Sequence, residues 1–168
     1  MLGIKGNRFF QLLGVLFLGG VMLVPSSWAE TPSELKKEDI RKLIDGAKQA
    51  LQDHRVTIAE KLLEKVLEAD EDNPEALYRL AKIKLGKNLF KKGVELMRQA
   101  VVASPDNAVL HLNLARIYEE SEYFSLAVDE YKKVMELVKN HDDPVFREAS
   151  QRFSHVSQMH DEALKKIK

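Results

Sequence analysis

Residues 73–107 decide how this chain folds, and they read NPEALYRLAKIKLGKNLFKKGVELMRQAVVASPDN. Apolar residues recur in this stretch every three or four positions, for example at Leu77 and Ala81, as they do along one face of an amphipathic helix. Asn73-Pro74 opens the pattern and Gly86-Lys87-Asn88 interrupts it, because asparagine caps a helix, proline suits its first turn and glycine breaks it. The stretch therefore predicts two helices joined by a short turn.

The same pattern occurs three times along the chain, at a period of about 34 residues. Small residues align with small ones and large apolar residues with large ones, in four sets: Ala47, Ala81 and Ala115; Ala59, Gly93 and Ala127; Leu63, Met97 and Tyr131; Val66, Ala100 and Val134. Asp53-His54 and Ser121-Glu122 fall where glycine interrupts the middle unit. No segment alternates with period two, so no strand is predicted. The repeat predicts an all-α chain built from helix pairs.

These units resemble the tetratricopeptide repeat, a family of helix–turn–helix units of about 34 residues each. The resemblance rests on the small pairs Ala47 with Ala59, Ala81 with Gly93 and Ala115 with Ala127, and on Phe90 and Phe124, with Val56 in the first unit, just after the turn. The chain departs from the family at Gly46, Lys84 and His111, and only Pro105 matches the proline that often ends a unit. The resemblance implies a right-handed solenoid of three helix pairs.

The last segment is predicted to be one uninterrupted helix, since Asp143-Pro144 provides a cap and a first turn and no glycine or proline follows. We expect this helix to cover the open end of the solenoid. Its apolar spacing of three and four also leaves open self-association through residues 144–168, or a membrane-surface contact. The predicted boundaries are a signal peptide at 1–29, a lead-in at 30–39, repeat units at 40–73, 74–107 and 108–141, and a capping helix at 142–168.

The N-terminus has the three parts of a secretory signal. Lys5 and Arg8 precede an apolar run from Phe9 to Val24, and Ser27-Trp28-Ala29 places small residues at the cleavage positions. We expect cleavage after Ala29 and export of the rest, and an uncleaved membrane anchor is the alternative. The absence of cysteine and of Asn-x-Ser/Thr sites points to a bacterial periplasm.

Composition excludes several kinds of chemistry. The 168 residues contain no cysteine, which excludes disulfides, thiolate metal ligands and a thiol nucleophile. The 26 basic and 26 acidic residues balance to zero charge, which disfavours a nucleic-acid partner. His141-Asp142-Asp143 lies on a predicted turn, where aspartate serves as a helix cap. Near His160-Asp161-Glu162, His155 and His160 are five residues apart, unlike the four-residue spacing of zinc-binding helices, and no Gly-x-Ser-x-Gly elbow or phosphate loop occurs. We therefore predict no catalytic residue, no metal and no cofactor.

By resemblance to the family, the first helices of the units should line a concave groove that binds a segment of a partner protein. The groove-facing positions are Arg41, Ile44, Lys48, Leu51, Glu75, Tyr78, Lys82, Leu85, Val109, Leu112, Arg116 and Glu119, of which all but Arg41, Glu75 and Glu119 are predicted to bind the partner. Two rows recur at the period of the repeat. Ile44, Tyr78 and Leu112 form an apolar row, and Lys48, Lys82 and Arg116 form a cationic row. Together they predict a partner segment with apolar and acidic side chains, unless the last helix folds over the apolar row.

The sequence thus predicts an exported adaptor that is not an enzyme and that binds a protein segment, with no membrane contact after export. The carboxylate clamp of the family's co-chaperones is not reproduced, since its positions hold Ile44, Lys48, Arg79, Val109 and Asn113. The alternative is a structural subunit of a bacterial envelope assembly, such as a pilus, secretion or cytochrome-maturation complex, held through the convex face or the last helix.

Overall fold

The computed structural model describes residues 17–18, 21–22 and 36–167. The predicted cleavage site and most of the predicted lead-in lie outside these residues. Two short strands, β1 (Phe17–Leu18) and β2 (Val21–Met22), pair antiparallel with Phe17 opposite Met22. They are an exception to the prediction that the chain contains no strand, and the sequence between them, Gly19-Gly20, is typical of a two-residue hairpin connection.

Residues 36–167 form seven α-helices and no strand, as the repeat predicts. Their bounds are α1 Lys37–Gln52, α2 Val56–Ala69, α3 Pro74–Gly86, α4 Phe90–Ala103, α5 Ala108–Glu120, α6 Phe124–Leu137 and α7 Pro144–Ile167. Each helix packs on the next one in the chain, and α7 also contacts α5. The helix α1 begins inside the predicted lead-in, at Lys37. Within these residues, no helix combines the length and the apolar character that crossing a membrane requires.

The turns inside the three units share one backbone geometry. His54, Asn88 and Glu122 each adopt a left-handed conformation, with φ of 59°, 59° and 62°. The next N–H then donates to the carbonyl five residues earlier, as Leu89 does to Lys84 at 2.9 Å, which closes the end of the helix. The interruptions read from the sequence are therefore helix ends. Gly86 is the last residue of α3, and Asn88 takes the left-handed position.

Side-chain caps begin the helices that follow the turns between units. The Asn73 side chain accepts from the N–H of Ala76 at 3.0 Å, Asn107 from Val109 at 3.1 Å, and Asp143 from Val145 at 2.7 Å. Each cap supplies an acceptor for an N–H group that the helix itself leaves unpaired. These contacts confirm the predicted start of α3, α5 and α7.

The core consists of the aligned small and large residues. Ala47, Ala81 and Ala115 are fully buried, and so are Leu63 and Tyr131 on the second helices. In α7, Ala149 lies one repeat period after Ala115 and is also fully buried. The helix α7 is therefore in register with the repeat, as the first helix of a fourth unit, and it covers the end of the solenoid with Ala149 and Val156 in one apolar cluster with α5 and α6.

Candidate partner-binding groove

Four open depressions lie along the first helices α1, α3 and α5. The first, of about 470 Å³, lies between α1 and α3, and the second, of about 250 Å³, lies between α3 and α5; both are bordered by Glu75. Two more, of about 270 and 290 Å³, are both bordered by Lys82. Tyr78, which borders the second depression, has its ring centre 5.6 Å from the Lys82 ammonium, so the two pairs of depressions adjoin there. We call the surface that the four depressions form the concave groove.

The structure brings most of the predicted groove residues to this surface. Eight of the nine border the depressions: Ile44, Lys48, Leu51, Tyr78, Lys82, Leu85, Val109 and Arg116. Leu112 does not border them. The first helices thus present their side chains at the positions that the family resemblance implies.

The predicted apolar row is not an exposed row. Ile44 is 7% exposed and Leu112 is 4% exposed, and only Tyr78 of the three is partly open to solvent. Ile44 packs among buried residues of α1, α2 and α3, and Leu112 belongs to the apolar cluster that includes Val156 of α7. The expectation of three exposed large residues was wrong, because the helices rotate two of them into the contact with neighbouring helices.

The three residues of the cationic row also differ from one another. The two outer residues, Lys48 and Arg116, form ion pairs within the molecule. The Lys48 ammonium lies 2.9 Å from a carboxylate oxygen of Glu75 in the next unit, and Arg79 donates to the same carboxylate. The hydrogen bond to Glu75 raises the pKa of Lys48. Burial acts to raise the pKa of Glu75, but the hydrogen bonds from Lys48 and Arg79 outweigh it and hold that pKa below its ordinary value.

At the other end, Arg116 is paired with Glu148 of α7, to which its Nε donates at 2.7 Å. Arg152 of α7 joins the same carboxylate at 3.1 Å and Glu119 of α5 at 3.0 Å, and the Tyr131 hydroxyl donates to Glu119 at 2.5 Å. The hydrogen bond from Arg116 lowers the pKa of Glu148, and burial with the bond to Glu119 raises the pKa of Tyr131. This network links α7 to α5 and engages the Arg116 side chain in an ion pair within the molecule.

Lys82, in the middle of the row, has no ion pair within residues 36–167. Its ammonium lies 5.6 Å from the centre of the Tyr78 ring, within the range of a cation–π contact. Val109 on α5 is 47% exposed, and Leu85 is half-buried. We call Tyr78, Lys82, Leu85 and Val109 the groove centre. It combines apolar surface with a cation that is available to a ligand.

The partners of Arg116 and Glu119 on α7 were missed by the sequence reasoning. One signal could have found them, because Ala149 continues the repeat series of Ala47, Ala81 and Ala115. That register places Glu148 and Arg152 beside the preceding first helix. Among the described residues, no group of three or more histidine, aspartate or glutamate side chains is placed to hold a metal ion. His141 instead stacks on Phe146, with ring centres 4.4 Å apart.

Residues 108–141 match the tetratricopeptide repeat family, over the bounds predicted for the third unit. The third unit belongs to this family. The first two units have the same helix pair, the same left-handed turn and buried small residues at the equivalent positions. No curated protein matches the sequence.

Solved structures of tetratricopeptide-repeat domains share this fold. The P58(IPK) TPR domain is 20% identical, with a TM-score of 0.66 over 73% of this chain and 34% of that domain, so this chain spans about a third of it. The first TPR of Spaghetti (RPAP3), bound to the HSP90 peptide SRMEEVD, is 15% identical, with a TM-score of 0.65 over 77% of this chain and 98% of that one. The Yersinia enterocolitica type III secretion chaperone SycD, in complex with a peptide of the translocator YopD, is 16% identical, with a TM-score of 0.62 over 79% and 98%. At these identities the likeness establishes the fold.

Proposed function

We propose that this protein is a non-enzymatic adaptor that binds an extended segment of a partner protein in its concave groove. The groove centre is the observation that carries this proposal. Tyr78, Leu85 and Val109 offer apolar surface there, and Lys82 offers a charge that no described side chain neutralises. A cleft with apolar walls and a few available polar groups suits a peptide ligand.

The ion pairs of the groove narrow the chemistry of the proposed ligand. Lys48 and Arg116 are already matched by Glu75 and Glu148, so an acidic ligand would have to displace those carboxylates. Lys82 has no such competitor among the described residues. The proposed segment therefore carries apolar side chains for Tyr78 and Val109 and one acidic side chain for Lys82. Peptide complexes of the same fold, such as that of SycD with a YopD peptide, support this type of binding.

We further propose that the chain is exported, with cleavage after Ala29, and acts in a bacterial periplasm. The support is the signal-like sequence of residues 1–29 and the lack of cysteine. Mass spectrometry of the protein from fractionated cells tests this step, because export predicts a periplasmic form that begins at Glu30. A form that retains Met1 in the membrane fraction would establish an anchor instead.

The groove is tested by a variant that combines Lys82→Glu with Val109→Asp. Both side chains are exposed, and Val109 lies in the first turn of α5, where an aspartate suits the helix dipole. A control variant, Lys61→Glu with Val102→Asp, makes the same chemical changes on the second helices, at exposed positions. The wild type first captures proteins from envelope extract. Synthetic peptides that cover the captured proteins are then made, and the affinity of each peptide is measured by calorimetry.

We expect the groove variant to weaken binding at least about tenfold, which is about 1.4 kcal/mol, and the control to leave it unchanged. Circular dichroism must show equal helix content in all three proteins. Equal affinity in wild type and groove variant would contradict the proposal.

A second function is favoured by the far end of α7. Met159 is 37% exposed and Leu164 is 48% exposed there, beyond Val156, the last residue of α7 in the buried apolar cluster. This surface would suit a structural subunit of an envelope assembly, held through its last helix. In that case Met159→Asp with Leu164→Asp should abolish partner capture, whereas the groove variant should retain it.

A further inference from the structure

Exposed apolar side chains concentrate at the turns inside the repeat units. Of the ten large hydrophobic residues that are exposed in the described part of the chain, six lie within four residues of the left-handed turn positions: Val56, Ile58, Leu89, Phe90, Tyr123 and Leu126. Phe90 is 57% exposed and Tyr123 is 61% exposed. Exposed apolar side chains that concentrate along one edge point to contact with another macromolecule. We call this surface the turn edge.

The two later turns carry opposite charges. Residues 86–92, GKNLFKK, contain three lysines and no acid, and we call them the basic turn. Residues 119–126, EESEYFSL, contain three glutamates and no base, and we call them the acidic turn. The first turn differs from both, because Asp53 and Arg55 there form an ion pair with each other.

Some of these charges are unmatched within the molecule. Lys87 pairs with Glu60, and Glu119 pairs with Arg152. By contrast, Lys91 and Lys92 in the basic turn, and Glu120 and Glu122 in the acidic turn, are exposed and have no ion pair with any residue from 36 to 167. Each turn therefore presents two free charges of one sign beside an exposed aromatic or aliphatic side chain.

The basic and acidic turns lie side by side on one edge of the solenoid. They occupy equivalent positions in neighbouring units, since Asn88 and Glu122 are one repeat period apart and share the same backbone conformation. Leu85 and Glu120, next to the two turns, border the same depression. Adjacent helices pack about 8–10 Å apart. The basic turn and the acidic turn therefore form one surface with a positive half and a negative half.

We infer that a second copy of this chain docks on the turn edge, across a two-fold axis between the two turns. That symmetry places the basic turn of each copy against the acidic turn of the other, so every contact is made twice. Lys91 and Lys92 then face Glu120 and Glu122 of the other copy. Phe90 and Tyr123 supply the aromatic side chains that typically anchor an interface. The two depressions that Glu75 borders contain none of these contact residues and remain accessible, whereas the depression that Glu120 borders adjoins the interface.

The mixture of charges favours a second copy over other occupants. An anionic membrane or a nucleic acid would be attracted by the basic turn but repelled by the acidic turn beside it. A second copy satisfies both halves with the same surface. This inference does not rest on the proposed groove function, because the proposed contacts between the copies use none of the groove-centre residues, although Leu85 and Glu120 border the same depression.

The experiment is a charge swap on the full chain, measured by sedimentation velocity over a concentration series that reaches the high micromolar range. One variant carries Lys91→Glu and Lys92→Glu, which makes both of its turns acidic. A second carries Glu120→Lys and Glu122→Lys, which makes both turns basic. These exchanges suit the ends of α4 and α5, because acids stabilise a helix N-terminus and bases a C-terminus. Two control variants make the same charge reversals away from the turns. One carries Lys61→Glu and Lys65→Glu, and the other carries Glu68→Lys and Glu71→Lys, all at exposed positions.

We expect each swapped variant alone to raise the dimer dissociation constant at least about tenfold. An equimolar mixture of the two should restore a dimer with an affinity within about threefold of the wild type, because each acidic turn then meets a basic one. The control variants should associate like the wild type. Circular dichroism and thermal unfolding verify that every variant is folded.

Three results would overturn the inference. The wild type could remain monomeric over the whole series, the swapped variants could self-associate as strongly as the wild type, or their mixture could fail to restore association. Binding of the wild type to anionic vesicles, lost on reversal of Lys91 and Lys92 alone, would assign the basic turn to a membrane surface instead.

Discussion

Lys84 in α3 and His111 in α5 each place a basic side chain where the other units have apolar residues. The residues equivalent to Lys84 are Ala50 and Tyr118, and those equivalent to His111 are Leu43 and Leu77. Both basic side chains are largely withdrawn from solvent, with exposed fractions of 13% and 7%. The comparison between them shows how a packed repeat accommodates a charge.

Lys84 reaches a carboxylate at the rim of the contact between two units. Its ammonium donates to Glu60 of α2 at 2.6 Å and lies 3.4 Å from Glu64. Lys87 donates to Glu60 as well. The hydrogen bond to Glu60 raises the pKa of Lys84 above its ordinary value of 10.5. The long lysine side chain can pack its methylene groups while its charge stays near the surface.

His111 is held on both sides by acceptors. Its Nδ1 lies 2.6 Å from a carboxylate oxygen of Glu130 in α6, and its Nε2 lies 2.9 Å from the carbonyl oxygen of Pro105. Both nitrogens can donate only when the ring is protonated. The bond to Glu130 raises the pKa of His111 above its ordinary value of 6.5, although burial opposes this effect.

The two sites differ in whether the carboxylate has a second cationic partner and in whether the basic side chain can lose its charge. Glu60 keeps Lys87 if Lys84 is removed, and Lys84 remains charged at any physiological pH. His111 is the ring that joins Glu130 to the turn before α5, and its charge depends on pH. We therefore expect the His111 site to be the more sensitive one.

The largest effect is expected from Glu130→Ala. It removes the acceptor of His111 and leaves a buried donor without a partner, which should lower the free energy of unfolding by about 2–4 kcal/mol near pH 6. Denaturant unfolding followed by circular dichroism measures this. Asp129→Ala, an exposed neighbour on the same helix, is the control and should change stability by less than about 0.5 kcal/mol. Equal losses of unfolding free energy in both variants would show that the contact between Glu130 and His111 does not stabilise the fold more than an exposed residue does.

A pH series should separate the two sites next. The raised pKa of His111 contributes stability that is fully present below about pH 6.5 and is lost as the pH rises through the pKa of the folded state. The free energy of unfolding should fall over that window, by up to about 1.4 kcal/mol per pH unit. The variant His111→Leu should remove this slope. A slope that persists in His111→Leu would assign it to another group.

Glu60→Gln should have a smaller effect. It weakens the hydrogen bonds from Lys84 and Lys87 at a carboxylate whose side chain is 13% exposed, and we expect a loss of about 1–2 kcal/mol in denaturant unfolding. The control is Glu64→Gln on the same helix. Its side chain is 49% exposed, and we expect a change of less than about 0.5 kcal/mol. If Glu64→Gln cost as much, burial would not be what separates the two carboxylates.

The smallest effect is expected from Lys84→Leu. Leucine restores the apolar character that the equivalent positions have, and Glu60 retains Lys87. Exchanging a partly buried ion pair for apolar packing is often neutral, so the free energy of unfolding should change by less than about 1 kcal/mol. Thermal and denaturant unfolding of this variant beside His111→Leu complete the comparison. A loss above about 2 kcal/mol would show that the Lys84 pair stabilises the fold on its own account.

Much of the fold could be predicted because it depends on interactions that are local in sequence. The apolar spacing within each helix, the turns at His54, Asn88 and Glu122, and the caps Asn73 and Asn107 all involve neighbours within one or two helical turns. The family resemblance then supplied the positions of the groove. Eight of the nine predicted residues border it, although their role in binding stays a prediction.

The state of those groove residues could not be predicted in the same way. Ile44 and Leu112 share the period of Tyr78, yet they are buried, because burial depends on how each helix is rotated against its neighbours. Lys48 and Arg116 share the period of Lys82, yet each is paired with a carboxylate of the next unit. A repeat shows which residues are equivalent in position. It does not show which side chains from other helices come within reach of each one.

The repeat and the helix pairs follow from the sequence alone, because apolar spacing and capping act within a single helix or turn. The positions that face the groove came from the family resemblance. Which of the groove positions are open to solvent depends on how the helices pack against one another. Arg116 and Glu148 are far apart in the chain, and they meet because α7 packs in register beside α5. The register of Ala149 places Glu148 beside α5, but whether two charges pair depends on the distance between them in space, which the register does not give.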